Sequence, residues 1–416
     1  MTTSVAHTNS LQTSRGFYEN LVIGLLSKMT LGKLSVRMPS GETIQFGNGE
    51  STITANVSIH APSFFKRCVL YGDIGFGEAY MEGEWDTDNI TSVIKWFLLN
   101  VENAPAVSGS KSKALALNML KLFNKVYHAK RENSVAGSRK NISEHYDLNN
   151  DFFALFLDPT MTYSSAYFNK PDLSLEEAQY AKYERLCQQL HLTSTDHVLE
   201  IGSGWGGNAI YMAKNYGCKV TTVTISEEQY KLAKERIEKE GLQDKITIMI
   251  EDYRLLQGTF DKIVSIEMLE AVGAKYLPVY FNKCRELLKK DGIFAFQVIT
   301  CPDSRFKELK NGVDWIQKYI FPGSLLPSVA AINKAVNDTG DLTLLDLKDM
   351  GLDYAKTLQL WFKEFNLNLA YVKQLGFDEA FIRKWNYYLN YCEAAFAMRN
   401  INVMQFVYAR PNTLSR

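Results

Sequence analysis

The glycine-rich stretch Val198–Gly207 is the part of the sequence whose residue types and spacing point most clearly to chemistry. An apolar run leads into Gly202, Gly204 and Gly207, which is the pattern of a buried strand, a tight turn and a helix start. Such a turn brings backbone N–H groups close to a nucleotide-like ligand, and its spacing also fits the dinucleotide fingerprint. Glu200 narrows the choice, because a carboxylate at the strand end repels a pyrophosphate and attracts an ammonium group. We therefore expect S-adenosylmethionine, half nucleoside and half amino acid; a glycine turn that binds another ligand, or none, is the alternative.

The region from about residue 141 onward alternates strand and helix patterns. Alternating βαβ units predict an α/β fold with a doubly wound, mostly parallel sheet whose ligand lies at the carboxyl ends of the strands, where Glu200 falls. After residue 300 the pattern becomes helical and rich in aromatic residues. The predicted strands are His197–Ile201, Val220–Thr224, Ile246–Ile250, Lys262–Ile266, Ile293–Ile299 and Ile401–Tyr408, and the predicted helices are Leu175–Leu190, Glu227–Lys239 and Leu277–Lys289.

Residues 17–100 have the pattern of a small α+β unit that precedes the alternating region. Apolar residues at helical spacing predict a helix over Phe17–Met29, and period-two alternation predicts strands over Leu34–Met38 and Thr43–Phe46. The glycine-rich stretch 71–77 predicts a loop. We expect this unit to fold as an accessory domain.

The segment 101–140 is predicted to be a basic helical linker, and the polar residues 1–16 are predicted to be disordered. The whole chain carries 46 basic and 46 acidic residues, so its net charge does not favour nucleic acid as a partner. Between Pro105 and Lys140, however, eight residues are basic and only Glu132 is acidic. Two interpretations explain this excess of basic residues. The segment is either a solvated linker helix or a surface that contacts anionic phospholipid.

Six scattered cysteines show neither paired spacing nor the spacing of zinc ligands. This distribution predicts reduced thiols, a cytoplasmic protein and no metal site. The sequence has no secretory signal and no run of about 18 apolar residues. We therefore expect any contact with a membrane to be peripheral.

Several long segments of the chain resemble the cyclopropane-fatty-acyl-phospholipid synthase family. The resemblance covers roughly residues 30–410 and is weakest at 100–138. It implies a Rossmann-like class I methyltransferase domain over 141–416, a lipid-associated accessory domain over 17–100, and a possible homodimer. It also implies transfer of a methyl or methylene group from S-adenosylmethionine to a cis double bond of a membrane phospholipid. The segments that carry the resemblance are Gly72–Met81, His145–Phe168, Thr224–Gln229, Glu251–Arg254, Glu267–Gly273 and Lys318–Ser328.

The resemblance also assigns cofactor contacts. Glu200, Gly202 and Gly204 would hold the amino-acid end, in agreement with the reasoning from the residues alone. Tyr163 and Ser164 would line the cofactor. Thr224 and Gln229 would reach its hydroxyl groups, and Asp252 and Tyr253 would lie near its adenine. Two of these residues also have a structural explanation, since Thr224, together with Ser226, could cap a helix and Tyr253 could be an ordinary packed aromatic residue.

The chemistry of the family sets the remaining expectations. Methyl transfer to an alkene leaves a carbocation, which aromatic faces can stabilise, and the family then removes a proton with bound bicarbonate so that a ring closes. The positions that match its bicarbonate-binding residues are Ser165, Glu270, Gln297, Ile299 and Tyr354. Glu270 could instead interact with a helix start, and Tyr354 could simply be a core tyrosine.

Three positions depart from the bacterial members of the family. Ser165 stands where the family usually has cysteine, Gln297 where bacterial members have histidine, and Ala271 where histidine is common. Plant-type synthases similarly carry the Ala271 and Gln297 pattern, so these two positions do not exclude cyclopropanation. If the cation loses its proton elsewhere, the product is a methyl- or methylene-branched chain. Two further alternatives are a soluble small-molecule N-methyltransferase of the coclaurine type and a relative without catalytic activity.

Overall fold

The computed structural model describes residues 15–100, 149–411 and 413. The predicted basic linker lies outside these residues, as do residues 1–14 of the segment predicted to be disordered. The described residues form two sheets with helices packed around them.

The N-terminal unit has a four-stranded sheet in the order β2-β1-β3-β4, in which β1 pairs antiparallel with β2 and parallel with β3. The alternation of apolar residues buries one face of β1, with Leu34 and Val36 almost fully enclosed. The elements of this unit are α1 (Phe17–Leu26), β1 (Lys33–Arg37), β2 (Thr43–Phe46), β3 (Thr54–Ile59), α2 (Ser63–Met81), β4 (Trp85–Asp86) and α3 (Ile90–Leu99).

The prediction of a loop over residues 71–77 was wrong. The segment lies inside α2, which is kinked at Gly72, where φ is 59° and ψ is −131°. The other glycines allow close packing and do not break the helix. A Cβ at Gly75 would lie 2.3 Å from the Arg67 carbonyl oxygen, and one at Gly77 would lie 2.5 Å from the Trp315 ring. The sequence analysis also missed β3, and it placed the end of α1 three residues too late.

The second sheet has seven strands in the order β10-β11-β9-β8-β5-β6-β7, with β5 to β9 parallel and β10 and β11 antiparallel. This confirms the predicted doubly wound, mostly parallel sheet. The sequence analysis missed β10, and β9 begins five residues before its predicted start. The strands are β5 (His197–Ile201), β6 (Lys219–Thr224), β7 (Ile246–Ile250), β8 (Phe260–Ile266), β9 (Leu288–Thr300), β10 (Thr343–Asp349) and β11 (Asn402–Ala409).

Helices cover the seven-stranded sheet and extend the structure towards the N-terminal unit. The predicted helix at 175–190 begins with a capping box, in which Ser174 and Glu177 each accept a hydrogen bond from the other's backbone N–H. The helices are α4 (Asn150–Ala154), α5 (Leu175–Gln189), α6 (Gly207–Tyr216), α7 (Glu227–Lys239), α8 (Leu277–Leu287), α9 (Phe306–Asn311), α10 (Trp315–Tyr319), α11 (Val329–Thr339), α12 (Gly351–Leu367), α13 (Leu369–Gln374) and α14 (Glu379–Ala397).

The N-terminal unit and the long C-terminal helices share one hydrophobic core. Helices α2 and α3 pack against α14, and Trp85 and Trp385 belong to the same buried cluster. At the contact, Arg383 donates hydrogen bonds to the Tyr80 and Trp85 carbonyl oxygens. The aromatic residues after position 300 therefore join the two sheets. Within the described residues, no helix combines the length and apolar character needed to cross a bilayer.

Candidate active site

The glycine turn after β5 has the backbone geometry that its sequence predicts. Gly202, Gly204 and Gly206 have φ angles of 95°, 48° and 85°, in the left-handed region that glycine adopts most easily. Helix α6 follows at Gly207, where a Cβ would lie 2.9 Å from both the Thr160 carbonyl oxygen and the Tyr183 hydroxyl. The turn therefore brings the backbone and the helix start to one edge of the sheet.

Glu200 lies at this edge and lines a large cavity. Its carboxylate accepts hydrogen bonds from Asn208 Nδ2 at 2.8 Å and from Thr222 Oγ1 at 2.5 Å. Burial outweighs these two bonds and raises the pKa of Glu200 to about 7. A buried carboxylate of this kind gains a counter-charge when it binds an ammonium group, as expected for the amino-acid end of the cofactor.

Tyr163 and Ser164 line the cavity beside Glu200. The Tyr163 hydroxyl lies 2.8 Å from the Tyr388 hydroxyl, and Lys182 Nζ donates to Ser164 Oγ at 2.7 Å. Lys182 is fully buried, and desolvation lowers its pKa to about 7 against the attraction of Glu267. Lys182 was not among the residues predicted from the sequence, because a lysine within an amphipathic helix is ordinarily solvated.

The residues predicted near the cofactor hydroxyls lie at the end of β6 and line the same cavity. Thr224 Oγ1 donates to Gln229 Oε1 at 2.9 Å, while Ser226 caps α7 by accepting from the Gln229 backbone N–H. The structural explanation offered for Ser226 is therefore correct, and Thr224 and Gln229 remain candidates for the cofactor.

Asp252 and Tyr253, predicted near the adenine, line the cavity after β7. Asp252 accepts from Arg254 Nε at 2.8 Å and from its terminal nitrogen at 2.6 Å. Tyr253 packs edge-on against Tyr280, with ring centroids 5.2 Å apart. The carboxylate is thus held by its neighbour while it still borders the cavity.

Glu270, Ile299 and Tyr354 border the cavity on its other side. Glu270 Oε1 accepts from the Ile299 backbone N–H at 2.5 Å, whereas the buried Oε2 has no hydrogen-bond partner among the described residues. Burial first, and then the nearby Glu267 carboxylate, raise the pKa of Glu270 to about 8. This residue is therefore a carboxyl group with one unused oxygen that can gain or lose a proton near neutral pH.

Glu267 organises the predicted catalytic residues, although the sequence analysis gave it no role. It accepts hydrogen bonds from the Ser165 backbone N–H at 2.9 Å, from Gln297 Nε2 at 2.7 Å and from the Tyr354 hydroxyl at 3.0 Å. Its φ of 48° is unusual for a residue with a side chain. These partners, distant in sequence, hold Glu267 in place.

Ser165 and Gln297 are brought to this cluster but do not line the cavity. Both are almost fully buried. The Ser165 hydroxyl donates to the Ala166 carbonyl oxygen at 2.9 Å, and the Gln297 amide also donates to the Ser165 carbonyl oxygen at 3.2 Å. In this arrangement the polar groups of Ser165 and Gln297 make hydrogen bonds to Glu267 and to backbone carbonyl oxygens. Their contact with a bicarbonate ion stays a prediction.

The cavity that joins these groups is large and reaches both sheets. Its volume is 1760 Å³, which exceeds the range of about 300–1,000 Å³ typical of small-molecule sites. It runs from the glycine turn past Glu270 to apolar side chains of the N-terminal unit. Such a shape can hold a nucleoside cofactor and a long apolar substrate together.

The raised pKa of Glu270 predicts a pH-dependent stability for the Glu270→Gln variant. The folded protein holds a proton on Glu270 up to a pKa of about 8, whereas the reference carboxyl has a pKa of 4.5. Wild-type stability should therefore fall as the pH rises from about 4.5 to 8, because in this window the unfolded state releases that proton while the folded state keeps it. The glutamine of the variant keeps the acceptor for the Ile299 N–H and carries no charge. The melting temperature of the variant relative to that of the wild type should therefore increase as the pH rises from about 4.5 to 8. Thermal unfolding measured at several pH values checks this, and a difference that stays constant would contradict it.

Comparisons with known proteins agree with this architecture. The family model described as mycolic acid cyclopropane synthetase matches residues 133–406. The chain is 40% identical over 360 residues to the cyclopropane-fatty-acyl-phospholipid synthase of Escherichia coli, covering 86% of this chain and 88% of that protein. It is 37% identical over 381 residues to the tuberculostearic acid methyltransferase of Mycobacterium tuberculosis, covering 87% of this chain and 86% of that protein.

A solved structure similar to this fold is mycolic acid cyclopropane synthase complexed with SAH and CTAB. The TM-score is 0.61 at 29% identity, covering 65% of this chain and 98% of that one. The family model spans more than half of the chain, and the similarity to the Escherichia coli synthase extends over most of both proteins. The chain therefore belongs to the mycolic acid cyclopropane synthetase family.

Proposed function

We propose that the protein transfers the methyl group of S-adenosylmethionine to a cis double bond of an unsaturated phospholipid acyl chain and forms a cyclopropane ring. The observation that carries this proposal is the single cavity in which the Glu200 turn, the carboxyl of Glu270 and apolar walls meet. Membership of the family and the similarity to a phospholipid synthase support the same reaction class.

Methyl transfer to an alkene requires a dry, aligned site, because an alkene is a weak nucleophile. In the proposed step the carbon–sulfur bond of the sulfonium breaks, and a new carbon–carbon bond leaves positive charge on the other alkene carbon. The rings of Tyr163, Phe321 and Tyr388 border the cavity, and their faces can stabilise that cation. Bound S-adenosylmethionine supplies the electrophilic methyl group; Glu200, Thr224 and Gln229 would hold its amino-acid end and hydroxyls.

Ring closure requires a base beside the new methyl group. The unpartnered Oε2 of Glu270 is such an acceptor when the carboxyl group is ionised, a form that its pKa of about 8 makes accessible near neutral pH. When it takes a proton from the methyl group, the released electron pair closes the three-membered ring. In this arrangement the side chains do not form a complete bicarbonate site, because Glu267 holds the Tyr354 hydroxyl and the Gln297 amide. The bicarbonate suggested by the resemblance therefore stays a prediction, and we assign it no step.

A methyl- or methylene-branched chain is the second candidate product. The similarity to a tuberculostearic acid methyltransferase favours this alternative, and the Ser165 hydroxyl turns away from the cavity. Loss of a proton from the methylated chain carbon would give a methyl-branched alkene from the same cation. A hydride shift from that carbon, followed by loss of a proton from the methyl group, would give a methylene branch. The small-molecule and non-catalytic alternatives are less favoured, because the relatives that cover most of the chain are named as lipid enzymes.

Purified protein, methyl-labelled S-adenosylmethionine and phospholipid vesicles test the reaction class. Oleoyl-phosphatidylglycerol should take up label, whereas stearoyl-phosphatidylglycerol, which lacks the double bond, should not. Equal labelling of both lipids, or of neither, would contradict the proposal.

We further propose that the protein acts in the cytoplasm at the membrane surface, through the basic segment 101–140. Changing both Lys121 and Lys125 to glutamate should weaken binding to anionic vesicles at least about tenfold at low salt, since each basic residue near such a surface contributes about 1 kcal/mol. The loss should shrink as salt is added. Vesicle sedimentation measures this, and the same change at the exposed residues Lys234 and Lys239 of α7 is the matched control. Equal behaviour of the two double variants would contradict this membrane contact.

The homodimer that the resemblance implies stays a prediction, which analytical ultracentrifugation can test.

A further inference from the structure

The cavity extends well beyond the residues that the proposed reaction uses. It continues into the N-terminal unit, where it is bordered by α1, β1, β3, α2 and α3. We call this part the N-terminal chamber. The apolar side chains of this unit that line it and are partly exposed are Leu25, Val69, Leu70, Phe76, Phe97 and Leu98.

Apolar side chains that face a cavity lack part of the packing contacts of a protein interior, which is packed about as densely as an organic crystal. Each Å³ of unfilled apolar cavity reduces stability by about 24 cal/mol in measured core variants. A chamber left open beside an active site therefore points to an apolar ligand.

The chamber is continuous with the reacting groups. Helix α2 borders it on either side of the Gly72 kink, and α14 borders the same cavity through Tyr387, Tyr388 and Tyr391. Tyr388 in turn reaches the Tyr163 hydroxyl at 2.8 Å. A flexible apolar chain could thus extend from the chamber to the surroundings of Glu270 without leaving the cavity.

Part of the chamber lining on α1 is exposed to solvent. Leu21 of α1 lines the cavity and is 46% exposed, and Phe17, one turn earlier, is 72% exposed. Exposed apolar side chains around an apolar opening are typical of sites that receive apolar ligands or meet membranes.

We propose that the N-terminal chamber is part of the substrate site and holds a stretch of the acyl chain while its double bond lies beside Glu270. The inference rests on the proposed function and assigns the N-terminal unit a direct role in binding the substrate. The ligand class is an unbranched hydrocarbon chain, held by apolar contact alone.

A filling variant tests this role in the full-length protein. Val69 is half-buried and lines the chamber, whereas Lys66, on the same turns of α2, is exposed and does not line it. Val69→Phe should lower turnover of oleoyl-phosphatidylglycerol about tenfold, because its ring displaces one or two methylene groups worth about 0.8 kcal/mol each. The affinity for S-adenosylmethionine, measured by calorimetry, should not change. Lys66→Phe adds the same ring outside the chamber and should match the wild type. Unchanged turnover by a folded Val69→Phe would overturn the proposal.

Photolabelling of the wild-type protein gives a readout that needs no variant. Two phosphatidylglycerols are used, each with a diazirine in its unsaturated acyl chain, on the carboxyl side of the double bond in one and at the methyl end in the other. Labelled peptides from residues 17–99 with either lipid, displaced by excess oleoyl lipid, are the expected result. Labelling confined to other parts of the chain with both lipids would overturn the proposal. If the wild type modifies no lipid, the proposed function fails, whereas this labelling still decides whether the chamber holds a chain.

Discussion

Replacing Glu200 with glutamine should abolish tight binding of S-adenosylmethionine while leaving the glycine turn folded. The variant keeps the shape of the side chain beside Asn208 and Thr222 but loses the charge that would pair with the cofactor ammonium group. Hydrogen bonds to charged groups contribute about 1.5–3 kcal/mol, so we expect affinity to fall roughly tenfold to a hundredfold. Isothermal titration calorimetry measures the change.

Glu184→Gln is the matched control for this variant. Glu184 accepts hydrogen bonds from Tyr211 and Tyr216 and does not line the cavity. Its replacement should leave cofactor affinity near the wild-type value. Equal affinity of the wild type and Glu200→Gln would show that the ammonium group binds elsewhere.

The same carboxylate predicts how cofactor binding depends on pH. Its pKa is about 7 in the free protein, and only the ionised form attracts a cation. Below pH 7 the cofactor must therefore displace a proton, and the apparent affinity should fall about tenfold for each further pH unit. Above pH 7 the affinity should level off. A flat profile would contradict the assigned partner.

Replacing Glu270 with glutamine should stop turnover without changing cofactor affinity. The variant retains an acceptor for the Ile299 N–H but cannot take a proton, and a positioned base contributes about a hundredfold to ten-thousandfold to rate. A labelled-methyl assay on oleoyl vesicles measures the loss, and calorimetry checks that binding persists. Activity close to that of the wild type would remove Glu270 from the reaction.

The fold and the cofactor turn could be predicted because their signals are local. The run Val198–Ile201 before Gly202 is apolar except for Glu200, as expected for a buried parallel strand that carries one functional residue, and each glycine with positive φ stands where the turn needs it. The alternation of strands and helices then fixed the order of elements up to β9. The glycines of α2 misled the prediction because they serve close contacts with Arg67 and Trp315, which no local pattern reveals.

The cluster around Glu267 could not be predicted for the same reason. Its partners Ser165 and Tyr354 lie 102 and 87 residues away in the chain, and only the folded structure brings them together. Its raised pKa follows first from burial, a property of tertiary packing. A carboxylate three residues before Glu270 was visible in the sequence, but nothing distinguished it from an exposed side chain.

The central claim is that this protein adds a one-carbon unit to unsaturated acyl chains. Mass spectrometry of lipids from a host that expresses the protein, grown with methionine carrying a deuterated methyl group, tests it most directly. The account predicts unsaturated chains that gain a labelled CH₂ unit, lose one deuterium of the methyl group and lose the alkene signal. A labelled chain that keeps its alkene would identify the branched product instead. Absence of labelled lipid, in a host whose purified protein is folded and binds S-adenosylmethionine, would contradict the account.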